Sequence, residues 1–543
     1  MILFAAAALA LAPLASLAVL ALSGEADIWA HLLRYVLPRA FVETAALLAG
    51  VALVAGTIGT ATAWLVTAHR FPGRGLFVWL LPLPLAVPTY LVAYVYGDLL
   101  SAGGPVQAAL RRAFGLRDLS WFPEIRSVGG AALVIGLVLY PYVFLAARAT
   151  FLAQSGSLMD VARALGASRL ALLRHVALPL ARPALAVGLA LVLLETLNDI
   201  GASEYLGVRT LTLAIFTTWL NRGSLPAAAQ IACAMLIVVA ALIALERYGR
   251  RHRGFAFPER QPRPLVPLPL RGPSAFAAAL ACALPVVFGF AIPAAALVHE
   301  TAARGLLSAF DPALLRHAGT TVALSAAATA LALALGVGAA AAARLRPQPL
   351  STGLLTVAGL GYAVPGTVLA LGLLSPLLAV DSALNALSRG LFGVGVGLVV
   401  VGSGAALVIA YVVRFLAIAT GAAQAGFARI PTHMDDAARI LGADERALVG
   451  AVHLPLLKPA LSGAALLIFV DCLKELPASL LLRPLNVETL STYIYQFATR
   501  GSFEDGALAA LLIVAAGIPA VIWTTRAAET FLRPARGRKA HRA

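Results

Sequence analysis

The sequence predicts an all-α integral membrane protein of about twelve transmembrane helices, arranged as two fused six-helix repeats. Three observations carry this. Of 543 residues, 61% are hydrophobic and 12% charged, whereas an ordinary soluble domain is about a quarter charged; mean hydropathy is +0.89. Apolar runs of roughly 20 residues recur along the chain, the length that crosses a hydrocarbon core of about 30 Å. Residues 159–185, MDVARALGASRLALLRHVALPLARPAL, return without a gap at 435–461 as DDAARILGADERALVGAVHLPLLKPAL. A repeat at this distance means two copies of one unit. Only helices or closed barrels satisfy their backbone in lipid, and Leu/Ala/Val/Gly-rich runs without alternation select helices.

In chain order the runs are about 2–22, 42–68, 76–98, 128–152, 183–204 and 226–246, then 274–298, 318–343, 353–375, 392–419, 460–482 and 506–526. The first has no basic n-region, and its counterpart 274–298 stands mid-chain, so it reads as a retained helix rather than a leader. The repeat extends beyond the polar passage at an offset of 277. Ala86–Pro88 (AVP) returns at Ala363–Pro365, and Arg39, Thr44 and Gly59 return as Arg316, Thr321 and Gly336. Residues 1–248 therefore form the first repeat, with its polar loop at about 153–182. Residues 249–271 form a basic cytoplasmic linker, and 272–543 the second repeat, with its loop at about 420–458. Six helices per repeat give both the same orientation, related by a pseudo-two-fold axis along the membrane normal. Cys233, Cys282 and Cys472 fall in or near apolar runs with no CxxC spacing and read as small buried side chains.

The net charge of +16 is distributed as the positive-inside rule requires. With the N-terminus cytoplasmic, the cytoplasmic segments hold most of the 41 Lys and Arg but a minority of the 25 acids. Both termini then lie inside, while 99–127 and 483–504 lie outside. The linker and the tail RPARGRKAHRA are basic strips beside membrane, which suit anionic lipid rather than nucleic acid.

The repeated passage reads as helix–Gly–helix. Ser157 with Asp160, and Thr432 with Asp435, have capping-box spacing. Gly166 and Gly442 end the first short helix in a left-handed conformation. Ser168 and Asp444 cap a second one, which Pro179 and Pro455 stop. Pro183 and Pro459 then sit where the next span begins. A compact polar lever tied to a membrane helix is suited to transmit force from a soluble partner.

The spacing of Asp160-Val161-Ala162, Gly166 and Val176-Ala177-Leu178-Pro179, and again of Asp436-Ala437-Ala438, Gly442 and Val452-His453-Leu454-Pro455, resembles the EAA motif of ABC-importer permeases. Both copies carry Asp for the usual Glu, and the first has Val161 for Ala. LPLPLAVPTYLVAYVYGDLL, LNDIGASEYLGVRTLTLAIFTTW and LKELPASLLLRPLNVETLSTYIYQ look like the fused permeases of ferric-iron uptake systems. The resemblance spans nearly the whole chain. It implies a type I importer fold in the inner membrane and a periplasmic or lipid-anchored solute-binding protein. Two ABC ATPase subunits would dock on Asp160, Ala162, Gly166 and Pro179 and on Asp436, Ala438, Gly442 and Pro455. The chain itself is no enzyme in this reading. Its lysines, Lys458, Lys474 and Lys539, make no Walker A loop, so it binds no cofactor and ATP with Mg belongs to the partners. Thiamine, polyamine, sulfate and phosphonate compete with iron as substrates. An ion-coupled secondary carrier and a polytopic membrane enzyme are more distant readings.

Other fragments are bland. His299-Glu300 lacks the second histidine of HExxH, the glycines of Gly393–Gly397 read as small-residue helix packing, and His175 and His453 read as interfacial side chains. No metal site is expected. The intramembrane charges carry more. Glu195 and Asp199 share a helix face, and Asp471 and Glu475 repeat them 276 residues later, with Asn198 and Lys474 as neighbours. Counted from the proline start, the first carboxylate lies roughly 17 Å deep, near the midplane. Such residues default to a substrate pathway, with helix–helix packing as the competing reading. Two pairs facing each other across the pseudo-axis are expected, with Gly201 and Pro477 breaking each helix just after them and Lys474 either neutralising one acid or holding Glu475. Carboxylates with helix-end carbonyls suit a hard cation.

Overall fold

A computed structural model describes residues 1–23, 26–116, 118–153, 156–251, 266–306 and 311–532. Most of the linker and the basic tail lie outside the described residues, as does the side chain of Ser157. The long helices, with the two short helices of the repeated loops, are α1 (Ile2–Leu22), α2 (Ile28–Ala68), α3 (Val128–Ala153), α4 (Gly156–Ala164), α5 (Leu172–Asn198), α6 (Leu225–Arg251), α7 (Pro273–Ala303), α8 (Pro312–Leu345), α9 (Gly366–Phe392), α10 (Ala405–Phe427), α11 (Thr432–Ile440), α12 (Glu445–Leu473) and α13 (Ala507–Leu532). Among the described residues, 11 helices are long and apolar enough to cross a membrane, and a pair bent by 89°, Arg74–Ala86 with Thr89–Phe114, makes a twelfth.

That bend corrects the reading of 76–98 as one helix, and the cause is the AVP repeat. A residue before proline is pushed out of the helical region. Val87 is extended at φ −101°, ψ 122°, and its counterpart Val364 at φ −83°, ψ 122°. The run 353–375 is divided in the same way, into Pro349–Ala358, a 3-10 turn to Ala363, and then α9. The glycines after α9 do not pack a helix. Gly393 and Gly397 have φ of 74° and 73°, and the loop folds back on the end of α9. Three successive N–H groups, Val399, Val400 and Val401, donate to Asp381 at 2.7–2.9 Å.

The chain forms two compact units that cut across the sequence halves. The first comprises Met1–Phe41, Thr210–Ile237 and Arg304–Ile513; the second comprises Val42–Arg209, Val238–Ala303 and the chain from Val514. The opening helix of each repeat is thus packed in the unit built mainly from the other repeat. In the first unit α1 buries Leu3, Ala6, Ala7, Ala10 and Leu17 and lies so close to α9 that a Cβ on Gly372 would strike the Pro13 carbonyl. In the second unit α7 receives a hydrogen bond from the Tyr96 hydroxyl at the Phe288 carbonyl, 2.5 Å. Within the described end of the linker, Leu268–Pro269 pairs in parallel with His69–Arg70.

One helix crossing recurs inside each unit. A Cβ on Gly59 would lie 2.7 Å from the Tyr140 carbonyl and 2.9 Å from the Phe144 nitrogen; on Gly336 it would lie 2.5 Å from Ala419 Cβ and 3.0 Å from the Thr420 nitrogen. The missing side chain lets α2 approach α3, and α8 approach α10, backbone to backbone. Gly59→Leu and Gly336→Leu should each cost about 1–3 kcal/mol by overpacking, read as a lowered unfolding temperature in detergent. An unshifted temperature in either variant would show that its crossing has slack.

Candidate functional site: the repeated loops and the intramembrane charges

The two loops have one backbone. Gly166 and Gly442 are left-handed, at φ 84° and 86°. Gly166 N–H donates to Arg163 O and Ala167 N–H to Ala162 O; Gly442 N–H donates to Arg439 O and Ala443 N–H to Ala438 O, all at 2.9–3.0 Å. These are the two bonds of a Schellman ending, and they give Ala162 and Ala438 their place as carbonyl acceptors. Ser168 Oγ then accepts from Ala171 N–H at 3.2 Å, and Asp444 Oδ1 from Ala447 N–H at 2.7 Å. Both sequence-predicted N-caps are therefore formed.

Pro179 and Pro455 do not stop the second helix as the sequence suggested. Each follows a π-helical turn, Leu172–Ala177 or Leu448–His453, and sits near the start of continuous helix in α5 or α12. The wider i→i+5 turn makes room for a ring that would clash with an i−4 carbonyl. Pro183 and Pro459 lie inside those helices rather than at their start. The second arm of each loop and the following span are thus one rod.

Asp160 and Asp436 are exposed, their side chains at 66% and 67%, and each pairs with the arginine three residues on, Arg163 at 3.2 Å and Arg439 at 3.7 Å. Just before each glycine stands an almost bare leucine, Leu165 at 83% and Leu441 at 87%. The sequence reading passed over these leucines, although their repetition in a polar loop was a signal.

The expected capping box at Thr432 is absent. Pro431 is the N-cap of α11 and makes no side-chain cap bond. Asp435 instead turns inward. Arg344, at the end of α8, donates through Nε to Asp435 Oδ2 at 2.9 Å and through Nη2 to Oδ1 at 3.2 Å. It also donates to the carbonyls of Phe427 and Ile430, at 2.8 and 2.9 Å. His453, fully buried rather than interfacial, places Nε2 2.9 Å from Asp435 Oδ1. His175, its near neighbour in the other loop, bonds only locally, with Nδ1 3.2 Å from the Ala171 carbonyl. Burial alone would raise the Asp435 carboxyl, but the bonds and charges of Arg344 and His453 outweigh it and hold the group below the usual carboxylate range. The carboxylate therefore contributes stability at neutral pH, lost only as pH falls through that lowered value.

The intramembrane carboxylates sit at helix breaks. α5 ends at Asn198 and α12 at Leu473, with short helices Gly201–Tyr205 and Pro477–Leu482 following. Gly201 and Pro477 begin those pieces, so the break falls just before them. Asp199 Oδ1 accepts from Ala202 N–H at 2.8 Å, and Glu475 Oε1 from Ala478 N–H at 2.9 Å. Each carboxylate caps the piece beyond its break. Asn198 and Asp199 are buried, while Glu195, on the same helix as Asn198, is partly so. Lys474 pairs with Asp471 at 2.9 Å. Glu475 pairs with Arg414 at 2.9 Å, both side chains about 5% exposed or less. Arg414 escaped the sequence reading although it interrupts an apolar run, the usual mark of an intramembrane partner.

Comparison with known proteins agrees with this anatomy. Residues 55–254 match the family described as binding-protein-dependent transport system inner membrane component. The chain is 30% identical to a sulfate transport system permease of Salmonella typhimurium over 36% of its own length and 72% of that protein. It is 32% identical to a molybdenum transport system permease of Escherichia coli over 35% of its length and 86% of that protein. An Fe(3+)-transport system permease of Haemophilus influenzae is 22% identical but matches 88% of both chains. Two EAA loops on a many-helix membrane chain, together with these relatives, place the protein in the family of binding-protein-dependent ABC transport permeases.

Proposed function

We propose that this permease carries ferric iron, released by a solute-binding protein on the outer side, through a passage opened by two ATPase subunits docked on its cytoplasmic loops. The carrying observation is the pairing of a two-repeat chain with the Fe(3+) permease relative along 88% of both sequences; the sulfate and molybdenum relatives match little more than a third. Broken helices that end beside carboxylates support a hard cation, because carbonyl ends and carboxylates are oxygen donors. Hydrolysis of ATP with Mg is assigned to the partners. Asp160, Gly166, Asp436 and Gly442 present the docking surface, with Leu165 and Leu441 at its tips. Both loops, the linker and both termini are assigned to the cytoplasm. Cysteines placed at Ser168 and Ser120 in a cysteine-free background should label from opposite sides; labelling from one side would undo the topology.

An oxyanion is the second reading. It is favoured by the neutralisation of both second-repeat carboxylates, Asp471 by Lys474 and Glu475 by Arg414. Proteoliposomes holding the permease, its ATPase and its binding protein separate the two. Ferric ion should accumulate on ATP addition, whereas accumulation of sulfate or molybdate alone would overturn the iron assignment. In the same vesicles Asp199→Asn keeps an oxygen for the Ala202 cap but removes a charge. Uptake should fall several-fold with ATPase activity intact; unchanged uptake would leave Asp199 a capping role alone.

A further inference from the structure

We propose that a groove at the end of α8 binds one anionic phospholipid, its phosphate held by Arg346 and Arg446 and an acyl chain laid along Ile2, Phe4, Leu350 and Leu454. The topology proposed above supplies only the leaflet, the cytoplasmic one. The binding itself rests on the groove's shape and charge.

The groove has a volume of about 740 Å³ and lies within the first unit. Ordinary ligand sites run from about 300 to 1,000 Å³. Its floor is the last turns of α8, where Gly338, Ala341 and Ala342 keep the helix surface low. A Cβ on Gly338 would meet Ile2 at 3.3 Å, so the start of α1 closes one side. The opening turn of the helix Pro349–Ala358 and the first turns of α12 complete the walls. Leu3, Ala6, Ala339 and Leu355 belong to one core cluster, with Ala342 and Leu354 packed against it. The cleft is therefore preformed between helices that are already packed.

Its inside is apolar and its rim is cationic. Ile2, Phe4, Leu350 and Leu454 line it and are exposed, and a concave strip of such side chains in a membrane chain suits hydrocarbon. The charged residues among its described lining are Arg346, Glu445 and Arg446, one positive charge in excess. Arg346 lies 3.7 Å from Glu445, with the two side chains 73% and 62% exposed. So loose a surface pair is worth little, and a guanidinium fork binds a phosphate more strongly. The helix Pro349–Ala358 also opens on this rim, and its N-cap Gln348 makes no side-chain cap bond, so the positive end of the helix faces the same place. A free phosphate would leave the apolar strip bare, and a zwitterionic lipid would leave the excess charge unmatched. An anionic phospholipid satisfies both.

The test uses the full-length chain in mild detergent and needs neither substrate nor ATPase. Native mass spectrometry counts the lipids retained after addition of dioleoylphosphatidylglycerol or dioleoylphosphatidylcholine. The wild type should retain one phosphatidylglycerol with about tenfold preference over phosphatidylcholine. Arg346→Gln with Arg446→Gln should bring that preference close to parity. Gly450→Phe keeps every charge and fills the cleft: Gly450 lines it, and a Cβ there meets nothing within 4 Å. That variant should lose the retained lipid whatever its headgroup. A phosphatidylglycerol with a photoreactive acyl chain should label peptides from the starts of α1 and α12 in the wild type and not in Gly450→Phe. Absence of a headgroup preference in the wild type, or a preference that survives in both variants, would overturn the site. Displacement of the lipid by millimolar inorganic phosphate would overturn the assignment to a phospholipid, and labelling confined to other segments would overturn its place.

Discussion

Glu475→Gln should destabilise the protein by about 3–5 kcal/mol, because it removes the anion from a buried ion pair and leaves the arginine charge behind. Arg414 and Glu475 are 2.9 Å apart with almost no exposure. Glutamine retains an oxygen for the Ala478 N–H, so the capping bond survives and the loss isolates the charge. Arg414→Met combined with Glu475→Gln should recover most of the stability, since an apolar replacement of both partners is often close to neutral. Thermal unfolding of the detergent-solubilised chain reads both variants. A single variant that unfolds with the wild type would mean that another group balances Arg414. A double variant as unstable as the single one would shift the weight to the polar chain beyond, where Ser479 Oγ donates to the Glu475 carbonyl at 2.8 Å and lies 2.7 Å from the Tyr411 hydroxyl.

Reversal of both exposed aspartates, Asp160→Arg with Asp436→Arg, should abolish ATP-driven uptake while the permease stays inserted. Both carboxylates are about two-thirds exposed, and each pairs with the arginine three residues on. Folding should therefore change little, since surface pairs of this kind are worth about 0–1 kcal/mol. A docked partner that presents basic groups meets a like charge instead, at a cost of about 3 kcal/mol, or about hundredfold in affinity, for each site. Co-purification of the ATPase measures this directly. Normal co-purification and uptake would remove the aspartates from the docking face and leave the leucine tips to carry it. Gly442→Val tests the same loop by another route. Nothing lies within 4 Å of the added Cβ, so any loss comes from forcing a β-branched residue to φ 86°.

The repeated loop was legible in the sequence because its features are local. A glycine at a helix end, an acceptor two residues later and an offset held over 27 residues need no tertiary knowledge, and Gly166, Gly442, Ser168 and Asp444 do what their positions imply. The prolines misled because a proline's effect depends on the turn before it. A π turn accommodates Pro179 and Pro455 inside a rod, whereas an extended valine lets Pro88 and Pro365 break one. Asp435 misled because its spacing fits a cap, yet a guanidinium 91 residues earlier in the chain offers a charged bidentate partner, and that is the stronger bond.

The sequence by itself determined the class, the duplication, the family and the positions of the repeated polar loops, since hydropathy and fixed spacing are properties of short stretches read independently. Tertiary structure alone decided who pairs with whom. It placed α1 and α7 each in the unit dominated by the other repeat, gave Glu475 to Arg414 and Lys474 to Asp471, and turned Asp435 inward onto Arg344. A buried charge is compensated by whichever opposite charge the packing brings within hydrogen-bond reach, and long-range packing is not written at any fixed spacing in the chain.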